Sequence, residues 1–339
     1  MSFRSLVNQA QDANAEYLHI VSGTQPKIQT RKGVETLSEQ KLIPSEVYQL
    51  VDECLTPEAK QKLLTGDEVL ICHNHDSDTE LRVHVYKQRG TLALSAKFLD
   101  TKIDSLSHLG ISDEMIDSLV KQRSGLLISS SQRNSGRSSL ALSYLQEIAT
   151  LRSVHIVSCE EVIEKRFSES LKGLITRCQY NEDILDLSDV IKGFWSTDLQ
   201  VCFLDSLDDP VRFRSAVELA TRGVLVVGTI MAENIEMIFQ KIFRISAEDQ
   251  TFRQMVANTL GHIIHQTRLH DVDGKNHFIR EFFYNQAATR QHIRESRLQP
   301  LISFMRSVGN RGCQSYQRAY EDLVLSGAIQ SEEIPKKYQ

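Results

Sequence analysis

Short runs of consecutive apolar residues alternate with helically spaced segments beyond residue 110, and this alternation limits the fold more than any other feature. A strand that is buried on both faces reads as a continuous apolar run, as in a parallel sheet covered by helices. We therefore predict an α/β core over residues 106–339, with a helical C-terminal part from about residue 247. Its predicted strands are 125–130, 154–159, 199–204 and 223–229, and its predicted helices are 138–151 and 211–222.

Residues 1–105 have a different pattern, which indicates a small N-terminal α+β domain. Helical spacing covers residues 45–54 and 57–64. Three strand-like runs follow at 68–72, 80–89 and 91–98, and the last two alternate apolar and polar residues. Such alternation is typical of half-buried antiparallel strands.

Composition and charge exclude several classes of protein. The 339 residues are 41% hydrophobic and 24% charged, which is typical of a globular chain with a full core. The net charge of −5 offers no basic field for a polyanion, so we expect no nucleic-acid partner. No apolar run is long enough to span a membrane, and the first residues lack a signal core. We expect a cytoplasmic protein with reduced cysteines.

The segment GLLISSSQRNSGRSSLALSYL runs from a predicted strand through a polar loop into a predicted helix. Phosphate-binding loops have this arrangement, because backbone N–H groups and a helix N-terminus converge on an anion. The loop has Ser131, four intervening residues, and then Gly136, Arg137 and Ser138, and so lacks the first glycine and the lysine of the GxxxxGK[ST] pattern. Two interpretations stay open: a phosphate loop, or a serine-rich turn that caps a helix.

Further motifs along nearly the whole chain resemble those of the PilT-like type IV pilus retraction motors, within the type II and type IV secretion ATPases. The matching segments, in order, are AEYLHIVSG, LRVHVYKQRG, SLSHLGI, GLLISSSQRNSGRSS, HIVSCEEVIE, LQVCFLDSLDD, ATRGVLVVGTI, DGKNHFIREF and GCQSYQRAYEDLVLSGAI. The resemblance implies a RecA-like P-loop core, a PAS-like N-terminal domain and a hexameric ring. It also implies ATP or ADP with magnesium as ligand, although a chain with altered motifs can lack one.

Carried over residue by residue, the resemblance assigns nucleotide binding to the loop and reveals departures from the family pattern there. The family's GPTGSGKST reads SQRNSGRSS here, so two glycines and the lysine are replaced. Serine adds bulk where glycine permits close approach, and a planar guanidinium does not substitute for a compact ammonium. The candidate nucleotide-binding residues are Ser131, Asn134, Ser135, Gly136, Arg137, Ser138 and Ser139.

The acidic motifs are retained only in part. The first is Glu160 and Glu161, a residual acidic box to which the resemblance assigns any remaining catalytic role. The second has Asp205 and Ser206 where the family has glycine and its catalytic glutamate. Serine cannot act as that general base. Ser138 and Asp205 are the candidate magnesium ligands, and polar capping remains the alternative for Ser138.

Residues that complete the site in the family are also replaced. Val224 and Met231 stand where the family has histidines, and Asp208 stands where it has an arginine. Another family arginine aligns with Cys178, for which neighbouring Arg177 is a partial substitute. These groups supply charge near the γ-phosphate in a ring motor.

The altered motifs favour a catalytically degenerate PilT-like protein, a pseudo-ATPase with a structural or regulatory role in pilus retraction and twitching motility. The alternatives are a slow but active retraction ATPase and an architectural ring without nucleotide. The expected partners are PilT-like motor subunits, in a homo- or hetero-hexamer, and the inner-membrane platform protein. No direct membrane insertion is expected, and the assembled protein would lie peripherally at the inner membrane.

Two histidine-containing groups give weaker signals. Cys72, His73, His75 and Asp76 include zinc-ligand types, but no second ligand pair is evident. His262 and His265 have the spacing of one helix face, for which packing is the simpler explanation.

Overall fold

The computed structural model divides the chain into two compact units. The N-terminal unit comprises Met1–Lys102 and Val162–Arg166, and the core unit comprises Ile103–Glu161 and Phe167–Gln339. The structure describes residues 2–30, 32–66, 68–76, 79–99, 101–133, 135–180, 182–184, 186–194, 198–270, 276–307, 313–325, 327 and 329.

The N-terminal unit is an antiparallel sheet with helices. Its strands are β1 (Tyr17–Val21), β2 (Lys27–Thr30), β3 (Gly33–Thr36), β4 (Val69–Asn74), β5 (Glu80–Gln88) and β6 (Thr91–Leu99), and its helices are α1 (Phe3–Asp12), α2 (Pro44–Cys54) and α3 (Pro57–Thr65). The strand order is β3-β2-β1-β6-β5-β4. The predicted elements α2, α3, β4, β5 and β6 are confirmed to within two residues.

Burial explains which strands of this unit the sequence predicts. On β5, Leu81, Val83 and Val85 are fully buried and alternate with partly exposed residues. The sequence did not predict β1, β2 and β3, which are only four or five residues long. Because β3 is exposed along its whole length, it carries no alternation.

The segment Val162–Arg166 follows the acidic residues in the sequence and packs within the N-terminal unit. Glu164 pairs with Arg82 on β5 at 2.5 Å. The backbone oxygen of Ile163 accepts a hydrogen bond from the Cys72 thiol at 3.4 Å, and Arg166 lies 3.5 Å from Glu80. This segment is held mainly by polar contacts.

The core unit has a parallel-rich sheet in the order β13-β12-β7-β11-β10-β8-β9, with only β13 antiparallel to its neighbour among the described strands. The strands are β7 (Gly125–Ser131), β8 (His155–Glu160), β9 (Leu174–Gln179), β10 (Val201–Leu204), β11 (Leu225–Met231), β12 (Leu260–His270) and β13 (Asn276–Tyr284). The helices are α4 (Asp113–Lys121), α5 (Arg137–Leu151), α6 (Leu187–Phe194), α7 (Pro210–Thr221), α8 (Ile235–Ile245), α9 (Gln250–Thr259), α10 (Ala287–Arg294), α11 (Leu298–Arg306) and α12 (Tyr316–Leu325).

The apolar runs that predicted a parallel sheet form its centre. Leu126 and Ile128 of β7 pack into one hydrophobic core, and Leu127 between them packs into another. Both faces of the strand are therefore buried, which explains why its sequence does not alternate. The predicted α/β architecture is confirmed, and the predicted strands correspond to β7, β8, β10 and β11.

The region after residue 247 contains helices, as expected, together with two strands that the sequence did not predict. On β12, His265 and Gln266 are buried, and they bond Ser130 and the loop after β7. Polar side chains at buried positions remove the apolar run that marks a central strand. Placing His262 and His265 on a helix face was wrong, because both lie on β12. Positions three apart on a strand point to opposite faces.

The helices that the structure describes include none that is both long enough and apolar enough to cross a membrane.

Candidate nucleotide site

The carboxyl ends of four parallel strands meet at one edge of the core sheet. Ser131 of β7 pairs with Met231 of β11, and Leu204 of β10 lies opposite both Gly228 of β11 and Cys159 of β8. The residues that follow these strands are therefore neighbours. Ligands of open α/β sheets bind at such an edge.

The candidate phosphate loop connects β7 to α5, as the sequence predicted. Gly136 precedes the first helical residue, Arg137, and has a φ of +80°, a conformation that glycine adopts without strain. Inside the loop, the Ser135 N–H donates to the Gln132 oxygen at 3.3 Å. Ser131 is buried, whereas Ser138 and Ser139 in the first turn of α5 are half-buried. Asn134 lies outside the described residues.

Two side chains that the sequence did not mark as site residues, Gln266 of β12 and Arg280 of β13, support this loop. Gln266 donates through Nε2 to the Ser135 oxygen at 2.7 Å and accepts from Arg280 Nε at 2.9 Å. A Cβ on Gly136 would lie 2.8 Å from the same Gln266 nitrogen. Burial lowers the pKa of Arg280 to about 10. The glutamine therefore holds the loop, and the positive φ favours glycine at position 136.

Glu160 is engaged by a bidentate ion pair. Arg177 donates to its two oxygens, through Nε at 2.7 Å and Nη2 at 2.6 Å. Ser158 donates to Glu160 Oε1 at 2.5 Å. The Glu160 side chain is only 4% exposed. Both oxygens thus accept hydrogen bonds from within the chain, and Arg177 is paired with Glu160.

Glu161 is more exposed and has its own partner. Arg212 of α7 donates to Glu161 Oε1 and stacks on the Tyr180 ring, with its guanidinium carbon 3.9 Å from the ring centroid. Burial raises the pKa of the Tyr180 hydroxyl above its usual range. Neither glutamate of the acidic box is left unpaired.

Asp205 and Ser206 follow β10 and bond to β11. The Thr229 hydroxyl donates to Asp205 Oδ1 and accepts from the Ser206 N–H at 2.9 Å. The Ser206 N–H also lies 3.0 Å from Asp205 Oδ1. Ser206 has a φ of +57°, a left-handed conformation that is uncommon for serine. Asp205, the expected magnesium ligand, is therefore hydrogen-bonded to the neighbouring strand, and it is only 8% exposed.

Two of the remaining replaced positions lie at opposite ends of β11, and a third lies on β9. Met231 ends the strand at the loop edge and is 48% exposed. Val224 precedes the strand, and its oxygen accepts from the N–H of Gly125 at the start of β7, so it lies at the other end of the sheet. Cys178 lies opposite Cys159 in the sheet, where burial raises the pKa of its thiol. Of the two β11 positions, only Met231 therefore lies at the edge that holds the candidate site.

The histidine-containing cluster near β4 makes ordinary structural contacts. His73 lies 3.2 Å from the Cys54 oxygen, and burial lowers its pKa. His75 lies 2.7 Å from Asn8 Oδ1. Across the part of the chain that the structure describes, no group of three or more His, Cys, Asp or Glu residues is arranged to hold a metal ion.

Comparison with known proteins gives full-length similarities. No protein-family model matches the chain. The type IV pilus retractation ATPase PilT of Pseudomonas aeruginosa is 22% identical over 325 residues, 95% of this chain and 94% of the relative. A twitching motility protein of Neisseria gonorrhoeae is 20% identical over 317 residues, 93% and 84% of the two chains.

A solved structure shows the same fold. The crystal structure of the pilus retraction motor PilT with bound ADP superposes with a TM-score of 0.88, at 23% identity, over 100% of this chain and 97% of that chain. The match confirms the expected RecA-like α/β architecture.

Proposed function

From the homology of this chain to the type IV pilus retraction ATPase PilT, we propose that it is a catalytically degenerate member of that group. It acts as a pseudo-ATPase in pilus retraction and twitching motility, with a structural or regulatory role. It keeps the strand-loop-helix element of the motors and does not hydrolyse ATP.

The observation that carries this proposal is Ser206 at the position of the general base. A serine hydroxyl does not take a proton from water near neutral pH, and the loss of a positioned base typically lowers a rate by about 10²- to 10⁴-fold. Two acids nearby are already engaged within the chain, since Glu160 pairs with Arg177 and Asp205 accepts a hydrogen bond from Thr229.

The changed loop supports the same conclusion. Working loops use a lysine ammonium on the β- and γ-phosphates and a hydroxyl on magnesium. Here Arg137 replaces that lysine, and Ser131 adds a side chain where glycine lets the backbone approach the phosphates. Ser131, Asn134, Ser135, Gly136, Arg137, Ser138 and Ser139 would be the nucleotide contacts, and Ser138 and Asp205 the magnesium ligands, if Mg-ATP or Mg-ADP binds.

Steady-state phosphate release by the purified full chain with saturating Mg-ATP tests the proposal. We expect a rate no higher than that of an Asp205→Asn variant, because any background comes from contaminants. Release at a motor-like rate, on the order of 1 s⁻¹ or more, that the Asp205→Asn variant lacks would refute it.

The slow retraction ATPase is the second candidate, and retention of Asp205 at the end of β10 favours it. An acid in that place often holds magnesium through water. This candidate predicts magnesium-dependent ATP binding that weakens in a Ser138→Ala variant. Thermal denaturation with and without Mg-ATP separates it from a ring without nucleotide, because a ligand that binds the native state raises its stability.

We further propose that the chain assembles in a hexamer, alone or with PilT-like motor subunits, and contacts the platform protein of a pilus at the cytoplasmic side of the inner membrane. Interface contacts can persist after catalysis is lost, which permits this role. Native mass spectrometry of the chain alone and mixed with a PilT-like motor tests the assembly. Monomers in both samples would contradict it.

A further inference from the structure

Asp208 is fixed at the candidate phosphate loop by contacts from three elements. Its Oδ1 accepts from Lys241 Nζ of α8 at 2.5 Å. Its Oδ2 accepts from the Met231 N–H at the end of β11 at 2.9 Å, and Arg137 Nη1 lies 3.9 Å from the same oxygen. Lys241 also donates to the Met231 oxygen at 2.5 Å. The carboxylate is thus oriented by the protein.

The strand register places this carboxylate beside the start of the loop. Met231 pairs with Ser131, the last residue of β7, and the Ala232 N–H donates to the Ser131 oxygen at 3.2 Å. Arg137 is the first residue of α5, where the N-terminal N–H groups and the helix dipole favour a negative group. Asp208 therefore places its negative charge 3.9 Å from the guanidinium of the first residue of α5.

We propose that Asp208 is a built-in counter-anion of the phosphate loop, which engages Arg137 and Lys241 and keeps phosphate chains from binding. This inference rests on the proposed function and deepens it: besides the loss of hydrolysis, the loop has lost affinity for its ligand. Arg137 keeps a cation in place of the motors' lysine, and the acid at position 208 neutralises it.

The charges of the site explain why Asp208 would keep phosphate chains from binding. Arg137, Asp208 and Lys241 are each only 23–32% exposed, so solvent screens their interactions incompletely. A phosphate chain that approached Arg137 would lie within a few ångströms of the carboxylate and repel it. To bind Arg137, the phosphate chain would also have to displace the Asp208 carboxylate, which the Met231 N–H and Lys241 hold in place.

An Asp208→Asn variant tests this inference, because asparagine keeps an acceptor for the Met231 N–H and removes the charge. We expect it to bind both Mg-ATP and inorganic tripolyphosphate at least about tenfold more tightly than the wild-type chain, by calorimetry at physiological salt. Glu218→Gln is the matched control: it removes the same charge from an exposed pair with Arg222, and we expect unchanged affinity. Adding Arg137→Gln to Asp208→Asn is expected to abolish the gain.

Other results would overturn the inference. These are a gain below about tenfold, an equal gain in Glu218→Gln, a gain for Mg-ATP without one for tripolyphosphate, or a gain that survives Arg137→Gln. Thermal denaturation checks that Asp208→Asn folds, and Asp208→Ser is measured in its place if it does not. ATP hydrolysis by the wild-type chain would refute the proposed function and leave this comparison of affinities intact.

Discussion

Replacing Glu160 by alanine is expected to destabilise the core unit strongly. The change leaves Arg177, whose side chain is 16% exposed, without its carboxylate partner. It also removes the acceptor of the Ser158 hydroxyl.

The two Arg177 bonds, at 2.6 and 2.7 Å, set the magnitude. Hydrogen bonds to charged groups contribute about 1.5–3 kcal/mol each, and removing one partner of a buried ion pair costs about 3–5 kcal/mol. Because Arg177 retains some contact with water, we expect a loss of about 3 kcal/mol. For a unit of this size, that corresponds to a melting temperature lower by roughly 6–12 °C.

Urea denaturation of wild-type, Glu160→Ala and Glu161→Ala chains measures the effect. Glu161 is the matched control, because its side chain is 44% exposed and its pair with Arg212 should contribute no more than about 1 kcal/mol. Adding Arg177→Met to Glu160→Ala should restore most of the loss, because no unpaired charge remains. A Glu160→Ala chain as stable as the Glu161→Ala chain would refute the structural role of this pair.

Three further changes test other parts of the core unit by urea denaturation. Burial raises the pKa of Glu281 to about 7 from 4.5, so the folded state retains a proton that the unfolded state has lost. The free energy of unfolding should therefore fall as the pH rises between these two pKa values, and Glu281→Gln should abolish this decrease. Gly136→Ala should cost about 1–2 kcal/mol, because φ is +80° and its Cβ would lie 2.8 Å from Gln266 Nε2; no loss would contradict this. Thr229→Val should cost about 2 kcal/mol by removing the hydroxyl that donates to the buried Asp205 carboxylate, and a neutral effect would contradict that contact.

The sequence predicted those parts of the fold that depend on apolar periodicity. The runs that form β7, β8, β10 and β11 are buried on both faces, and two neighbouring residues of β7, Leu127 and Ile128, pack into different cores. The register of these strands brings Ser131, Glu160 and Asp205 to one edge of the sheet. The sequence did not predict strand β12, because its buried residues His265 and Gln266 are polar. Their side chains form hydrogen bonds, so the strand has no apolar pattern.

The partners of the site residues could not be predicted for a different reason. Sequence comparison marked Asp208 as a charge reversal, but the contact with Lys241 joins residues 33 positions apart and depends on how α8 packs. The resemblance makes Arg177 a partial substitute for a family arginine, whereas its bonds to Glu160 depend on the pairing of β8 with β9. Gln266 gave no signal, because a glutamine within a strand predicts neither burial nor support of a loop.

A single-turnover experiment with the chain in excess over Mg-ATP tests most directly whether the site has lost its chemistry. With radiolabelled ATP and acid quenching over several hours, even a very slow ATPase would convert the bound nucleotide. We expect intact ATP at the level of a buffer blank, for the wild-type chain and the Asp205→Asn variant alike. Conversion to ADP and phosphate by the wild-type chain, lost in that variant, would contradict the account.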